Sequence, residues 1–264
     1  LLIAAGAVVS AGMAVAARED SAAFVAVASV VMLLLAGWTA MRRHPWRLVL
    51  PVALSLAGMV TYSLRGAPLT GGSSTLGSTD AGLGLLLTNL VYFPTLVQGA
   101  VGGWPLGWND AVMPPLVPIV GMLSLGALAY RGLLAMWWRK VLAAGTALVA
   151  LVAVPVAYLQ AQHLGVGEVV QPRYVLPLLV LLVGMLSLGP RLGRSLPLPP
   201  TPRLVLAAGL WSSGVVAFWA YLHRFTTGSQ SGLFDLDGTV GWSRAPGPFA
   251  LAAVVSVSTL ALVA

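Results

Sequence analysis

The chain has 264 residues, of which 58% are hydrophobic and 8% charged, far from the roughly 25% charged content of a soluble domain. Its net charge of +7 comes from basic residues scattered singly and in threes between apolar runs, a membrane-topology pattern rather than a nucleic-acid footprint. Cysteine is absent, which excludes a disulfide framework, thiol chemistry and a cysteine metal site.

Apolar runs near bilayer-crossing length recur along nearly the whole sequence, so the expected fold is an all-α, polytopic transmembrane helix bundle. Eight spans are expected, at 1–17, 21–41, 48–64, 111–130, 141–160, 169–189, 204–222 and 249–264. No basic segment and cleavage site precede the first run, so it does not read as a signal peptide. The chain opens "LLIAAGAVVS" and stops at "TLALVA" inside another apolar run. A single transmembrane domain over 1–264, cut from a longer chain, is the expectation.

After the third span, 65–82 ("RGAPLTGGSSTLGSTDAG") is rich in Gly, Ser and Thr and reads as a flexible loop, with a lid as the other reading. The segment 83–101 is apolar but interrupted by Asn89, Pro94 and Gln98. It is expected to be a re-entrant or interfacial helix within an extracytoplasmic segment 65–110. An ordinary ninth span is its alternative.

In "GGWPLGWNDAVMPP" (102–115), Asp110 stands where a span is expected to begin and Pro114 in its first turn. Asp110 then either caps the helix or offers a carboxylate at the membrane surface, with Trp108 a belt residue. Further on, Tyr174 to Gly189 is a charge-free run that falls short of about 30 Å of hydrocarbon at about 1.5 Å per residue. The span must therefore draw in Val169 to Arg173, which puts Arg173 at or just below the interface. There it either snorkels to headgroups or holds a phosphate, for which its planar fork is suited.

The stretch 190–203 ("PRLGRSLPLPPTPR") reads as a stiff, proline-rich cytoplasmic connector. In 221–242, His223 and Arg224 leave a span, and Asp235 and Asp237 read as a solvated turn rather than a calcium loop, whose remaining ligands are missing.

Charge sorting ties these pieces together. Arg42, Arg43, Arg47, Arg131, Arg139, Lys140, Arg191, Arg194 and Arg203 fall in one set of loops without an acid. The other set holds Arg18, Arg65, Arg173, Arg224 and Arg244 with all seven acids. The positive-inside rule makes the first set cytoplasmic and the second extracytoplasmic. The histidines do not share one site by sequence, and neither a dinucleotide fingerprint nor a phosphate loop occurs.

Three motifs then carry a resemblance: Gly107-Trp108-Asn109-Asp110, Gln171-Pro172-Arg173-Tyr174 with Pro177, and Arg224-Phe225-Thr226-Thr227-Gly228. In this order they resemble the domain of unknown function 2142 family of multispanning membrane proteins, over roughly 100–230. Asn109 and Pro172 depart from the Leu and Gly of the family pattern. That family is similar to C-type glycosyltransferases, which take sugars from polyprenyl-phosphate carriers on the outer face.

The resemblance implies an extracytoplasmic sugar transfer onto a cell-envelope glycan, or the carrier-binding half of such an enzyme. The residues implied are Asp110 as an auxiliary acid and Arg173 and Arg224 as a phosphate clamp, with Tyr174, Gln171, Trp108 and His223 lining the substrate. The implied partners are membrane lipid and a polyprenyl-phosphate sugar. No cofactor or metal is indicated, and no nucleic acid is expected. A transporter or lipid flippase, and a non-catalytic membrane scaffold, are the competing readings. Transport favours ionisable groups or broken helices at mid-membrane, whereas the spans here are expected to carry their charges at the ends.

Overall fold

The computed structural model describes residues 21–43, 82–104, 111–168, 170–189, 199–228 and 248–263. The expected spans at 1–17 and 48–64, and the segments around Trp108, Asp110 and the Asp235–Asp237 pair, lie outside the described residues. The described residues are helical and contain no strand.

The helices are α1 (Ser21–Arg43), α2 (Leu83–Gln98), α3 (Leu116–Leu134), α4 (Trp138–Ala161), α5 (Leu176–Ser187), α6 (Pro200–Thr227) and α7 (Pro248–Val263). A π turn, Gly99–Gly103, continues α2, and a 3₁₀ turn, Pro172–Tyr174, precedes α5. Among the described residues, four helical segments are long and apolar enough to cross a membrane: Leu83–Gly103, Leu116–Leu134, Trp138–Ala161 and Pro200–Thr227. Shorter apolar helices run over Ala23–Gly37, Leu176–Ser187 and Ala250–Ala261.

Several boundaries differ from the sequence expectation, and prolines account for most of the differences. Helix α3 starts at Leu116 with Pro115 at its N-cap, later than residue 111, because consecutive prolines at 114 and 115 hold the chain out of the helix until the second of them. The N-cap of α3 is therefore Pro115. The 169–189 segment is not one helix either. Its α-helical part begins only at Leu176, and Arg173 sits in the 3₁₀ turn rather than in the span. Helix α6 begins at Pro200, inside the stretch expected to be connector. Proline needs no amide donor in a first helical turn, so Pro200 and Pro202 start a helix rather than prevent one.

The bundle is built around α4 and α5. Helix α4 packs on α1, α2 and α5, while α5 also packs on α3. Helix α3 in turn carries α6, and α6 carries α7. One buried cluster joins Phe93 and Leu96 of α2 to Leu151, Val156 and Leu159 of α4 and to Val175, Leu178 and Leu179 at the start of α5. A second joins Val31 and Leu35 of α1 to Ala143 and Ala147 of α4, where the alanines let the helices approach closely. The third packs Ala111, Met113 and Val117 against Ala220, so the start of α3 meets the end of α6.

Candidate functional site

Burying backbone carbonyls at helix ends without donors is costly in a lipid-facing protein, so the ends of the bundle show where polar chemistry is spent and where it is left available. At one end, Lys140 in the first turn of α4 is fully buried. Its Nζ donates to the carbonyls of Gly132 (3.1 Å), Leu186 (2.8 Å) and Leu188 (2.7 Å). These are the C-terminal carbonyls of α3 and α5, which carry the negative ends of the helix dipoles. The two helices approach closely there, since a Cβ on Gly132 would fall 2.6 Å from the Leu186 carbonyl oxygen.

The neighbouring residue performs the same service for α1. Gly37 breaks that helix with φ 69 and ψ 161, and Arg139 Nη1 donates to the Ala36 carbonyl at 3.3 Å. The guanidinium also lies 5.0 Å over the Trp138 ring.

The opposite end contains most of the expected site residues that fall in the described structure. Here the chain leaves α4 at Ala161, runs through a connector at 162–171, and enters α5 through the 3₁₀ turn. The connector is held by Asn89 of α2, which is fully buried. Its Nδ2 donates to the Leu164 carbonyl and its Oδ1 accepts from the Val166 amide, both at 3.0 Å. Within the connector, the Glu168 carboxylate accepts from the Gly165 amide at 2.9 Å, which ties that acid into a local turn. Gln160 Nε2 reaches the Gly82 carbonyl at 3.3 Å, fixing the start of α2 to the end of α4.

The far side of α2 is fixed at the same end. Its π turn lies against the start of α3: a Cβ on Gly102 would fall 2.6 Å from Val117 Cγ1, and one on Gly121 would fall 2.8 Å from Val101 Cβ. Gly99 is packed directly on the ring of Pro172. Both the start and the finish of α2 thus touch the same end of the bundle.

That packing determines how Arg173 is presented. Pro172 is buried behind it, and turn hydrogen bonds run from the Tyr174 amide to Gln171 and from the Val175 amide to Pro172. Arg173 itself is exposed, with its guanidinium 5.6 Å from the centre of the Tyr174 ring. Glu168, the one acid among the described residues, is already engaged by Gly165. Tyr174 and Gln171 are both half-buried, and Tyr174 rests on the core cluster of α2, α4 and α5.

The remaining expected residues are on α6. His223 is buried, and Arg224 donates to the Gly228 carbonyl just beyond its own helix. Gly228 adopts φ 72 as the left-handed C-cap, so this contact is a helix-end cap. Thr226 and Thr227 donate to carbonyls one turn back and are likewise local. Arg173 and Arg224 sit on elements that both border the start of α3, one through the π turn and one through α6.

Sequence reading missed two residues of consequence. In the sequence Asn89 reads as an interruption of an apolar run, although a lone amide in such a run must find partners. Lys140 reads only as a topology charge. Its position in the first turn of a long apolar helix, where a charge must be paired or reach water, was the available signal.

The family model for predicted membrane proteins of the domain of unknown function 2142 (DUF2142) matches residues 3–182, and the chain belongs to that family. The matched stretch contains the Trp108 and Arg173 motifs but not the Arg224 motif. No curated protein and no solved structure matches the chain.

Proposed function

We propose that this multispanning membrane protein binds a polyprenyl-phosphate sugar carrier at the extracytoplasmic membrane surface, with Arg173 taking the phosphate. The observation that carries the reading is the presentation of Arg173. It is exposed, its turn is backed by the buried Pro172, and its flank is covered by Tyr174. An arginine so placed keeps a charged, planar fork directed away from the protein, the geometry that recognises phosphate oxygens.

Depth supports the same reading. Helix α5 has 12 residues, about 18 Å at about 1.5 Å per residue. The 3₁₀ turn adds about 6 Å, and the sum stays below a hydrocarbon thickness of about 30 Å. In this reading, with the other end of α5 gripped by Lys140, Arg173 would stand at or just below the interface, within reach of a carrier phosphate. In this reading α2 is submerged in the outer leaflet beside it. It has no charged residue from Leu83 to Gly103, and it exposes Leu83, Leu87, Leu90, Val91 and Tyr92. Its contacts at Gly82 and at Gly99 support a helix lying along one end rather than crossing.

Carrier binding is one half of an envelope glycosyl transfer. In the transfer, an acceptor hydroxyl forms a bond to the anomeric carbon as the bond to the carrier phosphate breaks. Arg173 would stabilise the charge left on that phosphate, and Asp110 would take the acceptor proton. Arg224 would act as a second phosphate ligand while capping α6.

The test replaces Arg173 and Arg224 with alanine in the complete protein and compares envelope glycan and membrane protein level with wild type. Loss of glycan at normal protein level supports the reading. Normal glycan with both changes removes it and favours a scaffold, and loss of the protein shows that the arginines are structural.

A further inference from the structure

The residues around Arg173 show what holds its turn in place. Helix α2 and its π turn grip the connector at successive points. Asn89 pairs with both Leu164 and Val166. Trp104 packs near Gly167, where a Cβ would stand 3.6 Å from the Trp104 ring, and Gly167 has φ 102. Gly99 then seats the ring of Pro172, the residue before Arg173. The described residues between Ala161 and Pro172 form turns but no helix or strand, so these contacts help to set the connector's course.

We infer that Asn89 is a positioning residue: its paired amide hydrogen bonds make α2 and the 164–174 connector one rigid unit, and that unit orients Arg173. The amide is suited to this task because it offers a donor and an acceptor side by side, matching a peptide carbonyl and amide in the same way that a strand would. It is also neutral and costs little to bury once both groups are paired. The connection to lipid-phosphate binding rests on the function proposed above, but the rigid unit itself does not.

The test exploits the absence of cysteine from this chain, which lets a single introduced cysteine carry a nitroxide in an otherwise wild-type background. One labelled protein has Arg173→Cys and a second has Leu148→Cys, at an exposed position on α4. Each is compared with and without Asn89→Leu, which removes the amide while keeping an apolar body for packing. Hydrogen exchange of the 164–174 backbone is followed in the same unlabelled pair. The expected result is a severalfold faster motion of the 173 label and faster exchange over 164–174, with the 148 label unchanged. Unchanged motion and exchange at the connector would overturn the inference. Equal loosening at both labels would overturn it as well, because Asn89 would then be a general packing residue. No ligand enters these readouts, so a failure to bind polyprenyl phosphate would count against the proposed function and leave this result standing.

Discussion

The two ends of this bundle solve the same problem with opposite chemistry. At the Lys140 end, charged side chains turn inward and donate to the C-terminal carbonyls of α3 and α5 and to the Ala36 carbonyl at the Gly37 break in α1. At the Asn89 end, a neutral amide ties the backbone, and the cation Arg173 is exposed. The difference teaches that a charge count alone does not locate function in a membrane protein. A cation whose donors are consumed by helix ends is a structural part, and a cation held out by packing is available for a ligand.

Lys140 offers the strongest way to break the comparison. Replacing it with methionine keeps the apolar stem but leaves the buried carbonyls of Gly132, Leu186 and Leu188 without their shared donor. Unpaired buried acceptors of this kind cost about 1–3 kcal/mol each, with relaxation recovering part of it. The expected loss is about 3–5 kcal/mol, read as a large drop in the thermal unfolding temperature of the purified protein. In Lys140→Ala, ammonium ions should recover part of that loss and tetramethylammonium should not, because only the former fits a carbonyl cage with N–H donors. Wild-type stability in Lys140→Met would show that this end is held by apolar packing.

The contrast also explains what the sequence made legible. The membrane class, the helical fold and most helix positions follow from apolar run lengths and flanking charges, which are local properties of the chain. The break at Arg173 was less accessible. Pro172 and Pro177 signal a disturbance, but the 3₁₀ turn depends on Gly99 lying against Pro172 from a helix far away in sequence. The roles of Asn89 and Lys140 were hidden for the same reason. Each bonds to backbone groups, which every residue carries, so no partner pattern appears in the sequence. At Arg224 the sequence suggests a phosphate ligand, and the structure adds a hydrogen bond to the Gly228 carbonyl at the end of its own helix.

An intermediate effect is expected at Gly99, which sharpens the comparison from the other end. Gly99→Val would drive a branched side chain into the Pro172 ring. Overpacking of this kind costs about 1–3 kcal/mol, and the displaced residue is the one beside Arg173. Binding of a lipid phosphate should fall more than stability does, as judged by comparing the two in one preparation. Equal losses would mean that the contact serves packing alone.

The smallest effect belongs to Arg139. Its hydrogen bond to Ala36 is long at 3.3 Å and the residue is half-buried, so Arg139→Ala should cost about 0.5–1.5 kcal/mol. A small drop in unfolding temperature without change in lipid binding is the expected outcome. A loss as large as that of Lys140→Met would place the main clasp at Gly37 instead.

The direct measurement is a titration of the purified protein in lipid nanodiscs with a polyprenyl phosphate, comparing wild type, Arg173→Ala and Arg139→Ala. The account predicts saturable binding that falls at least tenfold in Arg173→Ala and is kept in Arg139→Ala. A tenfold loss corresponds to about 1.4 kcal/mol, within reach of one charge-assisted phosphate contact. Equal binding by wild type and Arg173→Ala would contradict the division of labour between the two ends.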